Sequence, residues 1–125
     1  MKGIIDQSMD YLANCDHVIE TGEGNNWVWR KWKSGKIEAW GGQAYGAATS
    51  TLWVNNTYYR DLTVTLPSGV FTSAPTEIYA TCGNLQYWVA GTSNITTSSF
   101  TVRLCRPNNA SNQAIVRVYA VYWEL

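Results

Sequence analysis

The sequence predicts an all-β fold: an antiparallel β-sandwich of roughly six to seven strands, preceded by a short N-terminal helical stub. Three observations lead there. Seven Trp and eight Tyr stand against only two Phe, and aromatic side chains with an apolar body and a polar tip suit half-buried sheet faces. Thr, Ser, Asn and Gly fill much of the remainder, which is the composition of strands joined by polar turns. From Trp27 onward the apolar residues alternate with a period of two, and turn signals interrupt them at short intervals.

Residues 3–13, GIIDQSMDYLA, have helical spacing: Ile5, Met9 and Leu12 fall at i, i+4 and i+7 on one face. A stripe this short needs a partner, either the domain itself or copies of itself in a bundle. Asn14 to Asn26, with Gly22 and Gly24, reads as a polar connection. Residues 1–26 are therefore assigned to a stub and linker, and residues 27–125 to the sandwich.

WVWRKWK-SG-KIEAWGG reads as a β-hairpin with Ser34-Gly35 as a two-residue loop. In that register Trp32 faces Ile37, Lys31 faces Glu38 and Trp29 faces Trp40, three pairs that a sheet favours. In the next strand, Tyr58–Leu66, Leu62, Val64 and Leu66 share a side; Pro67, Ser68 and Gly69 turn the chain. Thr76–Cys82 places Ile78, Ala80 and Cys82 together. Gly83-Asn84 turns into Leu85–Ala90, and Phe100, Val102 and Leu104 alternate in the strand after it. The last strand, Ala114–Glu124, is apolar on both sides, which predicts an inner position.

With 125 residues there is room for one domain. Nine basic residues balance nine acidic ones, so no basic stripe points to nucleic acid. No apolar run is long enough for membrane insertion, and Asp6, Asp10 and Asn14 interrupt any signal-peptide core. The three cysteines, Cys15, Cys82 and Cys105, lack the even count and spacing of a disulfide framework. They read as reduced thiols, with a Cys82–Cys105 bridge as the competitor.

Catalytic templates find little. The one histidine, His17, has no spaced partner, and no CxxC, HExxH or P-loop occurs, so no metal or cofactor is expected. Glu38, Asp61, Glu77 and Glu124 are the carboxylates within the β region, and nothing pairs any two as acid and base. A glycan-active enzyme is thus the weakest reading, and a binding or structural module the strongest. The aromatics are the remaining signal. Trp53, Tyr58, Tyr87 and Trp88 lie near predicted turns, where rings can stack on sugars; the alternative for each is core or subunit contact.

The run WVWRKWKSGKIEAWGG resembles a segment that opens C-terminal, receptor-binding or fibre-tip domains in tail and baseplate proteins of phages of Gram-positive bacteria. Trp29, Arg30, Lys31, Trp32, Gly35, Glu38, Trp40 and Gly41 are the matching positions. LPSGVFTSAPTEIYA continues the likeness through Leu66, Pro67, Phe71 and Pro75, and VRVYAVYWEL is similar to the closing strand of those domains. The resemblance implies an H-type-lectin-like sandwich, assembled as a homotrimer in the virion tail beside other tail proteins. It implies either binding of host cell-surface saccharide or a purely structural, trimerising knob. An oligomer also follows from the chain itself. A sandwich core covers one face of each strand, so the second apolar face of the last strand asks for a partner. Tyr119, Tyr122 and Trp123 are the expected contacts there, with Ile5, Met9 and Leu12 in a helical stub.

Overall fold

The structure, a computed structural model, describes residues 15–45, 51–83, 87–107 and 114–123. Among them are nine strands: β1 (Val18–Gly24), β2 (Trp27–Trp32), β3 (Ile37–Tyr45), β4 (Thr51–Val54), β5 (Thr57–Thr65), β6 (Glu77–Cys82), β7 (Trp88–Ser93), β8 (Ser99–Arg106) and β9 (Ala114–Tyr122). They form a five-stranded sheet, β1-β2-β3-β9-β6, and a four-stranded sheet, β4-β5-β8-β7, with antiparallel pairing throughout. No helix occurs among the described residues, and the stub expected over 3–13, with Ile5, Met9 and Leu12, lies outside them.

One core joins the two sheets. Ile37, Ala39, Val116, Val118 and Ala120 come from the five-stranded sheet, and Leu62, Val64, Phe100, Val102 and Leu104 from the four-stranded one. Ile78, Ala80 and Cys82 pack on its margin, as their alternation predicts. Leu66, Pro67, Val70, Phe71 and Pro75 are buried in the link from β5 to β6. Trp27 ties the layers together directly: its indole Nε1 donates to the carbonyl of Thr65 across the core at 3.0 Å.

The interior of the β1–β2–β3 region alternates tryptophan with small residues. Trp27 lies between Gly24 and Gly41 on the flanking strands, and Trp29 between Gly22 and Ala39. A Cβ on Gly41 would come within 2.6 Å of the Trp27 ring, and one on Gly22 within 2.2 Å of the Trp29 ring. The missing side chains therefore let each indole lie flat over its neighbour.

Three expectations need correction. The strand count exceeds six or seven, because β1 and β4 were not legible as strands. The sheet accordingly begins at Val18, inside the segment read as a linker. The β2–β3 hairpin is also one residue out of the expected register. Lys31 faces Ile37, Arg30 faces Glu38, Trp29 faces Ala39 and Val28 faces Trp40. The loop is Lys33-Ser34-Gly35, closed by the Trp32 N–H on the Lys36 carbonyl at 2.9 Å and the Gly35 N–H on the Trp32 carbonyl at 3.0 Å. Gly35 takes φ +95°, the positive value a three-residue hairpin loop requires at its last position. A one-residue slip changes the facing pairs throughout, and it separates Trp29, which packs inward, from Trp40, which faces outward. Asp16 braces the loop by accepting from the Ser34 N–H at 2.9 Å and the Ser34 hydroxyl at 2.8 Å.

The last strand does take an inner place, between β3 and β6. Its outward side carries Ile115, Arg117, Tyr119 and Val121. Val121 is fully buried and Tyr119 partly so, whereas Ile115 and Arg117 are exposed. The chain thus covers part of that face itself.

Candidate functional site

Two aromatic clusters occupy the two outer faces. On the five-stranded sheet the centre is Glu38, whose register partners are Arg30 on β2 and Val121 on β9. Glu38 as a whole is only 4% exposed, and its carboxylate is the acceptor at the centre. It accepts from Arg30 Nε at 2.9 Å, Trp32 Nε1 at 2.6 Å and the Tyr119 hydroxyl at 2.5 Å, with Lys36 Nζ at 4.0 Å. Burial pushes this carboxyl up, but the hydrogen bonds from Tyr119, Arg30 and Trp32 outweigh it and hold the group below the usual carboxylate range. Burial, then the bond to Glu38, pushes the Tyr119 phenol up to about 12.

Rings and cations close over this hub. The Arg30 guanidinium lies 4.8 Å from the Trp40 ring and 5.3 Å from Trp32, and Lys36 lies 5.5 Å from Trp123. Tyr119 packs on Trp40 and Tyr79 at 5.3 and 6.0 Å. The carboxylate therefore spends its acceptor capacity inside the protein, and Glu38 reads as the organiser of a sheet face. Around it the face stays partly apolar and open: Tyr79 is 56% exposed, and Val28 and Ile115 are exposed too. A depression there is lined by Asn26, Trp40, Gly41, Gly42, Ile115, Arg117 and Val118.

The four-stranded sheet carries a groove of different character. It is lined by Trp53, Asp61, Ala90, Gly91, Thr92, Ser93 and Arg103, with a volume of about 340 Å³, within the range of about 300–1,000 Å³ usual for small-ligand sites. The strand order explains the assembly. Asp61 on β5 faces Arg103 on β8, and Arg103 faces Gly91 on β7. The register shifts in β4 between Leu52 and Val54, at Trp53, and in β7 between Val89 and Gly91, at Ala90. Each groove wall is thus set by a strand irregularity, a common device for re-aiming a side chain.

In this groove Arg103 grips Asp61 with two parallel bonds, Nε to Oδ1 at 2.8 Å and Nη2 to Oδ2 at 3.0 Å. The hydrogen bond from Arg103 holds the Asp61 carboxyl below its ordinary value. The guanidinium stacks 4.1 Å from the Tyr59 ring and 4.9 Å from the Trp53 ring. Trp53 stands edge-on to Tyr59 at 5.8 Å and is 45% exposed. An open indole beside a fixed carboxylate and small polar walls can stack on an apolar ring face and accept from its hydroxyl groups.

Of the four aromatics expected to meet a ligand, Trp53 lines this groove. Trp88 is exposed on the same sheet, opposite Cys105 in register. Tyr58 is half-buried and shares its side of β5 with the core residues Leu62 and Val64. Tyr87 is buried at 8% exposure, with its hydroxyl 3.4 Å from Arg106 Nη1, so it presents no ring outward. Of the expected contact residues on the last strand, Tyr119 belongs to the Glu38 face, Trp123 is partly buried beside Lys36, and Tyr122 packs on the core margin. Arg103 and Gly91 carried no functional signal in the sequence. Asp61 is legible in the sequence only as one of four carboxylates with no assigned partner.

Of the four carboxylates considered for catalysis, the three described ones are held apart by other partners: Glu38 at its hub, Asp61 on Arg103, and Glu77 on the Tyr79 hydroxyl. Glu124 lies outside the described residues. All three cysteines are free, Cys82 on the core margin of one sheet and Cys105 buried in the other.

No known protein family matches the chain, and no curated protein matches it in sequence. Solved structures do match in fold. An N-truncated R1-type pyocin tail fibre superposes with a TM-score of 0.66 at 14% identity, covering 94% of this chain and 95% of that one. A C-terminal portion of the P. aeruginosa R1 pyocin fibre superposes with a TM-score of 0.65 at 17% identity. That second match covers 83% of this chain and 28% of the fibre portion. The two-sheet fold is therefore one that tail fibres use.

Proposed function

We propose that this chain is a tail-fibre or baseplate tip domain of a phage-like particle, located in the virion tail, which assembles as a homotrimer and binds a host cell-surface saccharide. The observation that carries the tail reading is the fold shared with a pyocin tail fibre over nearly the full length of both chains. The hairpin and the Leu66–Pro75 landmarks support it independently, since they are resembled in other tail proteins. Binding of saccharide rests on the groove, where an exposed Trp53 stands beside the Asp61–Arg103 pair. For the trimer we assign the outer face of the five-stranded sheet, where Tyr79, Val28 and Ile115 leave an apolar surface around Tyr119.

A saccharide array probed with the purified chain tests the binding arm. Signal on particular glycans, lost in Trp53→Ala, is the expected result. A blank array from a folded oligomer would leave the chain as a structural, trimerising knob instead.

A further inference from the structure

We infer that the Trp53–Asp61–Arg103 groove selects neutral saccharides over acidic ones; this rests on the saccharide reading proposed above. The argument is one of charge already spent. Asp61 and Arg103 are the two charged residues lining the groove. A carboxylate, sulfate or phosphate on a ligand would look for a guanidinium fork, yet Nε and Nη2 of Arg103 are both committed to Asp61, at 2.8 and 3.0 Å. Stacking on Tyr59 and Trp53 further fixes the plane of that fork. An acidic group must either settle for the remaining N–H donors of a guanidinium whose charge Asp61 already balances, or displace Asp61 and sit against its freed negative charge. The chain as a whole carries no net charge to draw anions in.

A neutral sugar meets none of these costs. Each Asp61 oxygen keeps acceptor capacity after receiving one bond from Arg103, so neighbouring hydroxyls can donate to the carboxylate without breaking the pair. Trp53 offers its indole to the apolar side of a pyranose ring. The opposite wall is kept low by Gly91, where an added Cβ would meet nothing within 4 Å. That position gives a probe of the groove, because a side chain added there starts in open space.

The test is titration of the intact chain with two sets of oligosaccharides. One set is built from hexoses and N-acetylhexosamines, the other carries uronic acid, sialic acid or phosphate. Wild type is compared with Trp53→Ala, Gly91→Leu and Asp61→Asn, each first shown to keep its Tm. The proposal expects binding confined to the neutral set, at least about tenfold weaker in Trp53→Ala and Gly91→Leu. In Asp61→Asn, which releases the Arg103 fork, preference should move toward acidic ligands. Acidic ligands bound best by wild type, and weakened by Trp53→Ala, would keep the groove but overturn the selectivity. Saccharide binding indifferent to both Trp53→Ala and Gly91→Leu would overturn the groove while sparing the saccharide reading. Binding of neither set would remove both.

Discussion

Glu38 shows how much one side chain can organise. Its carboxylate gathers three donors from the two strands that flank β3, so its removal strands Trp32, Arg30 and Tyr119 together. Charge-assisted bonds of this kind contribute roughly 1.5–3 kcal/mol each when partly buried, and they are not additive. Glu38→Ala is expected to cost about 2–4 kcal/mol, read as a fall in the urea midpoint at neutral pH. The pH dependence has a definite sign. A carboxyl held below its ordinary value stabilises the fold above the unfolded-state value of about 4.3, and that contribution is lost as pH falls through the lower folded value. Wild type should therefore weaken steeply below about pH 4, and Glu38→Gln should show a shallower slope in the same window. Parallel slopes would mean that the hub is not what the acid attacks. The Asp61–Arg103 pair lies nearer the surface, where such pairs are worth about 0–1 kcal/mol, so changes there should alter binding more than stability.

The β2–β3 hairpin separates two uses of glycine. Gly35 has open space around it and a φ of +95°, so Gly35→Val strains only the backbone, by about 1–3 kcal/mol. Gly41 has an ordinary backbone, but a Cβ there would press on the Trp27 ring. Gly41→Ala should therefore displace the indole and weaken its bond to Thr65, changing the near-ultraviolet circular dichroism as well as the Tm. Gly35→Val should lower the Tm with that spectrum unchanged, and a spectral change in both variants would contradict the distinction. Strands with one buried face were legible, since Leu62, Val64, Ile78, Ala80, Phe100 and Val102 alternate as they pack. β1 and β4 were not. β1 has an apolar start and a polar, glycine-containing end, and β4 is exposed along its whole length, so neither carries a period. Facing pairs alone do not fix the hairpin register; the three-residue loop ending at Gly35 does.

At the scale of the molecule, the positions that carry the sequence resemblance fall on fold-making residues. Gly35 turns the hairpin, Glu38 organises a face, Gly41 makes room for Trp27, and Leu66, Pro67, Phe71 and Pro75 fill the link between sheets. The candidate site lies elsewhere. Its floor joins Asp61 to Arg103, 42 residues apart, and a contact made only by strand pairing leaves no local pattern to read. Trp53 is legible only as an aromatic beside a turn and Asp61 only as one of four carboxylates, and neither position points to the other. The trimer is a matter of mass: light scattering at micromolar concentration should give about three times the 14.0 kDa of one chain. Ile115→Asp, on the open part of the outer face, should reduce it to one without unfolding. A mass near that of a single chain for the unaltered protein would remove the trimer and the role assigned to that face.

The position of β9 has a kinetic consequence. It follows all the other described strands in sequence, yet it fills the gap between β3 and β6. Until it arrives, both of those strands present a bare hydrogen-bonding edge, and edges of that kind recruit other chains. Closing the gap requires contacts between distant parts of the chain, which puts folding toward the slow end, on the order of milliseconds to seconds. During that interval the half-made sheet competes between its own final strand and the strands of its neighbours, so the yield of native protein on refolding should fall as the chain is made more concentrated.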